Sequence, residues 1–255
     1  EDPATVRTPV ARSRDDVARL SAAARTACEL DAVISVCRAC PRLVAWREEV
    51  ARTGRRASFA HEPYWGRPAP STGDPDAPIL IVGLAPAANG ANRTGRMFTG
   101  DRSGDWLWSA LHRAGMARRE CSTATGDGQA LLTARMGATV RCAPPANKPT
   151  AEERSTCSAY LVREIELMKN LKVFLALGGI AWNATLSAVK AAGWRVPRPK
   201  PRFGHGAEAT VASHDGRDVT LLGCYHPSQQ NTFTGRLTEA MLDEVLATAK
   251  RLAEA

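Results

Sequence analysis

Short apolar runs alternate with amphipathic segments along most of the chain. Four of these runs predict buried strands, at residues 79–82 (ending in Gly83), 138–141, 173–177 and 220–222. Runs this short and this apolar are typical of parallel strands covered on both faces. Helical periodicity lies between them, at about residues 103–115, 150–170 and 180–192. This alternation predicts an α/β fold with a small parallel sheet between layers of helices.

The two ends of the chain are predicted to be helical, apart from a polar N-terminal segment. Residues 1–13 are expected to be disordered, and residues 15–36 read as one amphipathic helix. Pro41 fits the first turn of a second helix, and the last helix covers residues 237–252. Residues 54–78 are rich in Gly and Pro and predict a surface loop. With no internal repeat or linker, residues 1–255 are expected to form a single domain.

The charge balance adds a candidate partner. Lys and Arg number 34 against 26 Asp and Glu, a net charge of +8. A basic surplus favours a polyanion such as nucleic acid, because neutralised phosphates release their counterions. The sequence has no apolar run of about 18 residues and no signal-peptide pattern, so we expect no membrane partner and a cytoplasmic location.

Four of the seven cysteines are spaced like metal ligands. Cys37 and Cys40 form a Cys-x-x-Cys pair, and Cys142 and Cys157 form a second pair. Four thiolates could hold zinc or an iron–sulfur cluster, and residue type alone does not separate the two. A redox pair is the alternative for Cys37 and Cys40. The three other cysteines are predicted to be small buried hydrophobes: Cys28, Cys121 and Cys224.

Two loops that follow predicted strands carry the candidate chemistry. Residues 83–101 form a long loop of small residues, in which Phe98 could offer its ring to a planar base. The alternative is an ordinary loop with Phe98 in the core. Residues 224–232 follow the last strand and contain His226, which could donate a hydrogen bond to a leaving group. Since both loops leave the carboxyl ends of parallel strands, we expect them to meet.

These segments resemble a known family. The sequences GLAPAANGANRTGRMFTGD (83–101) and HPSQQNTFTGRLT (226–238), with the four cysteines, resemble the uracil-DNA glycosylase superfamily, and within it family 5, the B-type iron–sulfur enzymes. The resemblance extends from about Cys37 to the final helix. It implies a three-layer α/β/α sandwich with a central four-stranded parallel sheet. It also implies a 4Fe–4S cluster held by Cys37, Cys40, Cys142 and Cys157.

The activity implied by the resemblance is base excision repair by a monofunctional glycosylase. Uracil would be flipped out of double-stranded DNA to stack on Phe98, and His226 would stabilise the departing anion. Asn92 would position water. The base edge would meet three positions: Gly83, Leu84 and Ala85. DNA contacts would come from six residues: Arg93, Arg96, Ser228, Gln229, Gln230 and Asn231. We expect a nucleoid-associated monomer, with Arg141 and Lys148 placed beside DNA by the cluster.

Two positions depart from better-known glycosylases. Ala85 stands where other families carry a water-activating residue. The nearby carboxylate, Asp101, does not replace that residue in our interpretation, because we interpret it as a helix N-cap. Ala138 stands where A-type relatives have an Asn that reads the uracil edge, so we expect a roomier substrate pocket that also accepts hypoxanthine. The alternative function is a metal-stabilised nucleic-acid-binding module without catalysis. That hypothesis explains the charge and the cysteines but not the two loop motifs.

Overall fold

A six-stranded mixed sheet forms the centre of the protein in the computed structural model, which describes residues 2–254. Its strands are β1 (Thr72–Gly73), β2 (Ile79–Gly83), β3 (Ala134–Ala138), β4 (Val173–Leu177), β5 (Glu208–Ala212) and β6 (Asp218–Cys224). They lie in the order β1-β3-β2-β4-β6-β5. The four central strands are parallel, while β1 and β5 pair antiparallel with β3 and β6 at the two edges.

The expected four-stranded parallel sheet is therefore confirmed as the centre of a wider sheet. The prediction of only four strands is wrong, because two short antiparallel edge strands complete it. The second predicted strand, residues 138–141, is displaced: β3 ends at Ala138. Backbone pairing continues past it, since Thr139 and Val140 donate to the carbonyls of Gly83 and Leu84. The sequence misplaces β3 because Arg135, its second residue, interrupts the apolar pattern.

Helices cover both faces of the sheet, as the predicted α/β/α sandwich requires. The α-helices are α1 (Arg14–Ala23), α2 (Ala27–Ser35), α3 (Pro41–Arg52), α4 (Ala91–Thr94), α5 (Arg102–Arg113), α6 (Ala151–Leu167), α7 (Gly179–Ala191), α8 (Gln229–Phe233) and α9 (Glu239–Glu254). Ile79 and Ile81 face the core formed with α5 and α9. Leu80 and Val82 face the core formed with α6 and α7. Within residues 2–254, no helix has the length and apolarity needed to cross a bilayer.

The N-terminal helices form a third core against α6, which includes three of the four predicted metal ligands as buried side chains. The single predicted helix over residues 15–36 is two helices, α1 and α2. Ser13 caps α1, and Thr26 caps α2 by accepting a hydrogen bond from the Glu29 amide. Glu29 in turn accepts a hydrogen bond from the Arg25 amide. The break between α1 and α2 therefore has the Thr-x-x-Glu pattern that is typical of the start of a helix.

The segment expected to be disordered, residues 1–13, is attached to the domain at its far end. Ala11 is fully buried, and its carbonyl accepts a hydrogen bond from the Arg38 amide at 2.8 Å. Glu1 lies outside the described residues. For the residues between these two, disorder stays a prediction.

A buried ion-pair network ties β3 to the helices on one face. Glu164 of α6 binds Arg135 at 2.8 Å and Arg141 at 2.5 Å, and Arg135 also binds Asp31 of α2 at 2.7 Å. Burial alone would raise the pKa of Glu164, but the two guanidinium groups lower it to about 2. Arg141 was expected beside DNA. It is 1% exposed, so that prediction is wrong.

Candidate functional site

A cleft of about 390 Å³ opens at the carboxyl ends of the central strands. It is lined by Leu84, Ala85, Ala87, Met97, Phe98, Asp101, Ser103, Asn147, His226, Ser228 and Gln230. The loops after β2 and β6 therefore meet, as expected from their positions in the sheet. Crevices at this end of parallel strands are the usual ligand sites of α/β proteins.

Phe98 is held in the cleft by a strained backbone. Its φ of 52° lies in the left-handed region, which bulky side chains rarely adopt. Its carbonyl accepts a hydrogen bond from the Trp108 indole at 2.7 Å. Two glycines make room for it: a Cβ on Gly104 would lie 2.0 Å from the Phe98 carbonyl oxygen, and one on Gly83 would lie 2.9 Å from the ring. Strain held by surrounding contacts in this way is common at functional sites.

His226 faces Phe98 across the cleft. The two ring centroids lie 5.7 Å apart, with an interplanar angle of 37°. The His226 carbonyl accepts hydrogen bonds from the Ser228 amide and the Asn231 side chain, both at 2.8 Å, which fixes the turn. Burial lowers the pKa of His226 to about 4, so its imidazole is neutral at pH 7.

Asp101 lies at the start of α5 and also lines the cleft. Its Oδ1 accepts a hydrogen bond from the Gly104 amide at 2.9 Å, which confirms the predicted N-cap. Burial raises the pKa of this carboxyl group above its ordinary value, and the Gly104 bond only partly opposes the effect. A perturbed carboxyl group in a cleft is a candidate for chemistry as well as for helix capping.

Comparison with known proteins agrees with this geometry. Residues 70–250 match the model of the uracil DNA glycosylase superfamily. A type-5 uracil-DNA glycosylase of Mycobacterium bovis is 57% identical over 92% of this chain and 84% of its own length. Type-5 enzymes of Mycobacterium leprae (55%; 92% and 99%) and Thermus thermophilus (49%; 86% and 95%) are also similar. The chain belongs to the uracil-DNA glycosylase superfamily. Within it, the chain belongs to the type-5 family.

Two arginines that the family resemblance assigned to DNA are part of the scaffold of this glycosylase fold. Arg93 is 8% exposed, pairs with Glu62, and lies over the Phe59 ring at 4.0 Å. Arg96 is 9% exposed and binds Asp127 at 2.7 Å. Both guanidinium groups are paired and largely out of solvent, so this structure does not support their predicted role in DNA binding, which stays a prediction.

Two other predicted glycosylase residues lie outside the cleft. Asn92 is fully buried, and its Nδ2 donates to the carbonyl of Arg47 at 3.1 Å. Ala138 is fully buried at the end of β3, opposite Gly83. In this structure neither side chain lines the cleft, so direct contact of Asn92 with water and of Ala138 with a base is not supported.

The remaining predicted substrate and DNA residues lie in or beside the cleft. Leu84 and Ala85 line it, and Gly83 lies directly beneath the Phe98 ring. Ser228 and Gln230 also line it, and Gln229 is exposed on α8. Asn231 holds the His226 turn by its side-chain amide.

Asn147 is a cleft residue that the sequence did not reveal. It follows the segment Cys142 to Pro145 and has a left-handed backbone, with φ of 56°. This turn places Asn147 among the residues that line the cleft. The available signal was the Pro-Pro-Ala-Asn sequence, because Asn tolerates left-handed turn positions better than most residues.

The four predicted metal ligands surround one cavity. Cys37, Cys40, Cys142 and Cys157 line it together with Arg47 and Tyr160. Burial raises the pKa of Cys40 to about 12 and that of Cys142 to about 11, although Arg47 opposes the shift at Cys142. In the described part of the chain, no three side chains of the metal-binding types are placed to hold a metal ion.

The other three cysteines differ in burial. Cys224 is buried, which confirms its prediction as a small core residue. Cys28 and Cys121 are exposed, so their predicted burial is wrong. In α2, Leu30 and Ile34 supply the buried face instead.

Proposed function

We propose that this glycosylase superfamily member hydrolyses the N-glycosidic bond of uracil in DNA and leaves an abasic site. The observation that carries the proposal is that the Phe98 ring, held by a left-handed backbone, faces a neutral His226 across one cleft. Its relatives are named type-5 uracil-DNA glycosylases, which agrees with this reaction. The cleft opens where a base rotated out of DNA can enter.

A flipped base would stack on Phe98. The ring lies over Gly83, where any side chain would displace it, and its backbone is held by Trp108. Stacking on a side chain that is already in place avoids the cost of ordering it when the base binds. Leu84 and Ala85 lie beside the ring and would border the base edge.

His226 would stabilise the base as it leaves. When the glycosidic bond breaks, negative charge develops on the uracil ring, and a donor aimed at its carbonyl oxygen lowers the barrier. A neutral imidazole can donate this hydrogen bond from one of its two nitrogens. The low pKa of His226 keeps it neutral across the physiological range.

Asp101 would orient the attacking water. It is the carboxyl group that lines the cleft, and a carboxylate can accept a proton as water adds to the sugar cation. Among the described residues that line the cleft there is no lysine, so none could supply an amine for a covalent intermediate. This supports a monofunctional enzyme that uses water as nucleophile.

Hypoxanthine would be a second substrate. The cleft volume of about 390 Å³ lies within the usual range for small-molecule sites and leaves room for a purine. Asn147 supplies an amide at the cleft wall, which can donate to or accept from either base. Asn147→Ala should therefore lower kcat/KM for uracil and hypoxanthine alike. An unchanged kcat/KM for both would remove Asn147 from base recognition.

Double-stranded DNA would be held by the exposed turn that follows the cleft. On α8, Gln229 and Gln230 are exposed, and Phe233 is 68% exposed beneath the guanidinium of Arg102. An exposed aromatic ring beside a cation suits insertion between bases next to a phosphate. The net charge of +8 favours association with the nucleoid.

The cysteine cavity would hold a 4Fe–4S cluster, with Cys37, Cys40, Cys142 and Cys157 as its ligands. The donor set fits, because four thiols line one cavity, and two buried donors that also line it, Arg47 Nε and Tyr160 Oη, have no hydrogen-bond partner. A cluster supplies sulfur acceptors for such donors and a cross-link between α3, α6 and the segment after β3. None of these cysteines lines the cleft, so its role would be structural.

The direct test is excision from a labelled duplex with one uracil. After incubation and alkali, we expect strand cleavage at the uracil, and also at the modified base of a hypoxanthine duplex. A thymine duplex and the His226→Ala variant are the controls. Duplex binding without cleavage over a range of pH and salt would instead support the non-catalytic module. Gel filtration in the same buffer tests the expected monomer.

A further inference from the structure

Arg47 is a buried arginine that contacts the cysteine cavity. It lies on α3, which begins directly after Cys40, and it is 1% exposed. Its Nη1 donates to Cys142 Sγ at 2.8 Å, and its Nη2 donates to the Cys37 carbonyl at 2.9 Å. Among the described residues, no carboxylate forms an ion pair with it, so its charge is directed at sulfur.

The same residue also contacts the loop that carries Phe98 and Asp101. The Arg47 carbonyl accepts a hydrogen bond from Asn92 Nδ2 at 3.1 Å. Asn92 lies in α4, within the loop between β2 and α5, and is fully buried. Side chain and backbone of one residue thus join the cysteine cavity to the cleft loop.

Several of the buried polar atoms that have no partner belong to this connection or to the cysteine cavity. Arg47 Nε, Tyr160 Oη and Asn92 Oδ1 are buried, and each has no hydrogen-bond partner. A buried donor without an acceptor destabilises the fold. Sulfur acceptors in the cavity would satisfy the two donors, Arg47 Nε and Tyr160 Oη.

We propose that Arg47 is a positioning residue, which neutralises charge at the cluster through its guanidinium group and holds the cleft loop through its carbonyl. The proposal rests on the proposed cluster and the proposed excision activity. A cation and hydrogen-bond donor beside a cluster favours the reduced, more negative state, and so raises the reduction potential. The loop contact makes the geometry of Asn92 depend on the placement of α3.

The test compares Arg47→Met and Arg47→Lys in the iron-loaded enzyme, with Arg52→Met as the matched control. Arg52 lies on the same helix, exposed and paired with Glu49. For Arg47→Met we expect a more negative reduction potential by protein-film voltammetry and at least a roughly tenfold slower single-turnover excision of uracil. Duplex affinity should change by less than about twofold, since the residue is buried. Arg47→Lys should restore most of the potential, because it keeps the charge.

Several results would overturn the proposal. An unchanged potential in Arg47→Met would show that the guanidinium does not act on the cluster. A shifted potential with an unchanged excision rate in Arg47→Met would show that Arg47 does not act on the cleft loop. If Arg52→Met gave the same changes as Arg47→Met, the effects would not be specific to Arg47. Absence of iron in the reconstituted wild-type protein would also overturn it.

A second variant guards against loss of folding in Arg47→Met. Asn92→Ala removes only the loop side of the connection. We expect slower excision with an unchanged potential, and normal excision would contradict the proposal. If the wild-type enzyme excises no uracil, the proposed function fails, while the potentials still report on Arg47 and the cluster.

Discussion

Titratable side chains are buried in several regions of this molecule, and two of these regions are built differently. In the network of Glu164, Arg135 and Arg141, each guanidinium group meets a carboxylate within 2.8 Å. In the cleft, His226 and Asp101 are titratable groups without an oppositely charged side chain in hydrogen-bond contact. The network holds its charges in the ionised form, whereas the cleft shifts its groups towards the neutral form.

The difference shows which buried charge supports the fold and which is available for reaction. A paired carboxylate keeps a low pKa and is costly to leave without its partner. A titratable group whose pKa is shifted by burial alone can exchange a proton or a hydrogen bond with a substrate. We therefore expect changes in the network to alter stability and changes in the cleft to alter rate.

The largest expected effect is on stability. Glu164→Gln leaves Arg135 and Arg141 without their shared carboxylate, and should lower the free energy of unfolding by about 3–5 kcal/mol. Urea denaturation measures this loss. Glu166→Gln, two residues along α6 in a partly exposed pair with Arg163, should lose about 0–1 kcal/mol. Equal losses in the two variants would contradict a special role of the buried network in stability.

The pH dependence of stability follows from the same group. Because the pKa of Glu164 is about 2 in the folded protein, against 4.5 ordinarily, its contribution is complete above pH 4.5. That contribution is lost as the pH falls towards 2. Glu164→Gln should therefore reduce the dependence of stability on pH in this window.

The next largest effect is on catalytic rate. His226→Ala should slow single-turnover excision by about 10²–10³-fold, the usual cost of one donor to a developing anion. The free energy of unfolding should change little, since no ion pair is broken. His226→Gln keeps an N–H donor and should retain part of the rate. His214→Ala, an exposed histidine between β5 and β6, is the control, and an equal loss there would refute the role of His226.

A smaller rate effect is expected at Asp101. Asp101→Asn should slow excision by about 10²-fold, because an amide cannot accept a proton from water. The helix should be retained, since Asn caps helices about as well as Asp. The pKa of Asp101 is raised, so the wild-type rate should climb with pH through a midpoint above 3.8. If the rate of Asp101→Asn still rose with pH in the same way, Asp101 would be excluded as the group that accepts the proton. Asp105→Asn is the control.

The smallest effect concerns DNA affinity. Arg96→Met should change duplex affinity by less than about twofold, because its guanidinium group is buried against Asp127. Arg102→Met, at the exposed start of α5, should weaken binding and lower the salt slope by about one. Measurement of affinity against salt concentration separates them. If Arg96→Met had the larger effect, the interpretation of buried arginines as scaffold would be wrong.

Much of the fold could be predicted because buried strands have recognisable apolar runs in the sequence. Strands β2 and β4 begin at the predicted residues, since each has an apolar run covered on both faces. β3 was misplaced because Arg135 lies within it, and only the tertiary contact with Glu164 makes that arginine compatible with a buried strand. The edge strands β1 and β5 were missed because one is two residues long and the other is half exposed.

The residues of the site could be predicted where the position of a loop in the sheet brings them to the cleft. They were harder to predict where the direction of a side chain determines its contacts. Phe98 and His226 follow strand ends, so their meeting could be expected from the topology. Arg93 and Arg96 look like phosphate ligands in sequence, but carboxylates on distant segments, Glu62 and Asp127, pair with them. Asn147 was missed because its direction depends on a left-handed turn.

The left-handed backbone of Phe98 has an evolutionary consequence. Glycine at this position would relieve a strain of about 1–3 kcal/mol, but it would also remove a ring that is 6% exposed, and the loss of a buried aromatic side chain costs about 3–5 kcal/mol. The ring therefore contributes more to stability by burial than its left-handed backbone costs. Selection for thermal tolerance and selection for repair should thus both retain a large side chain at this codon.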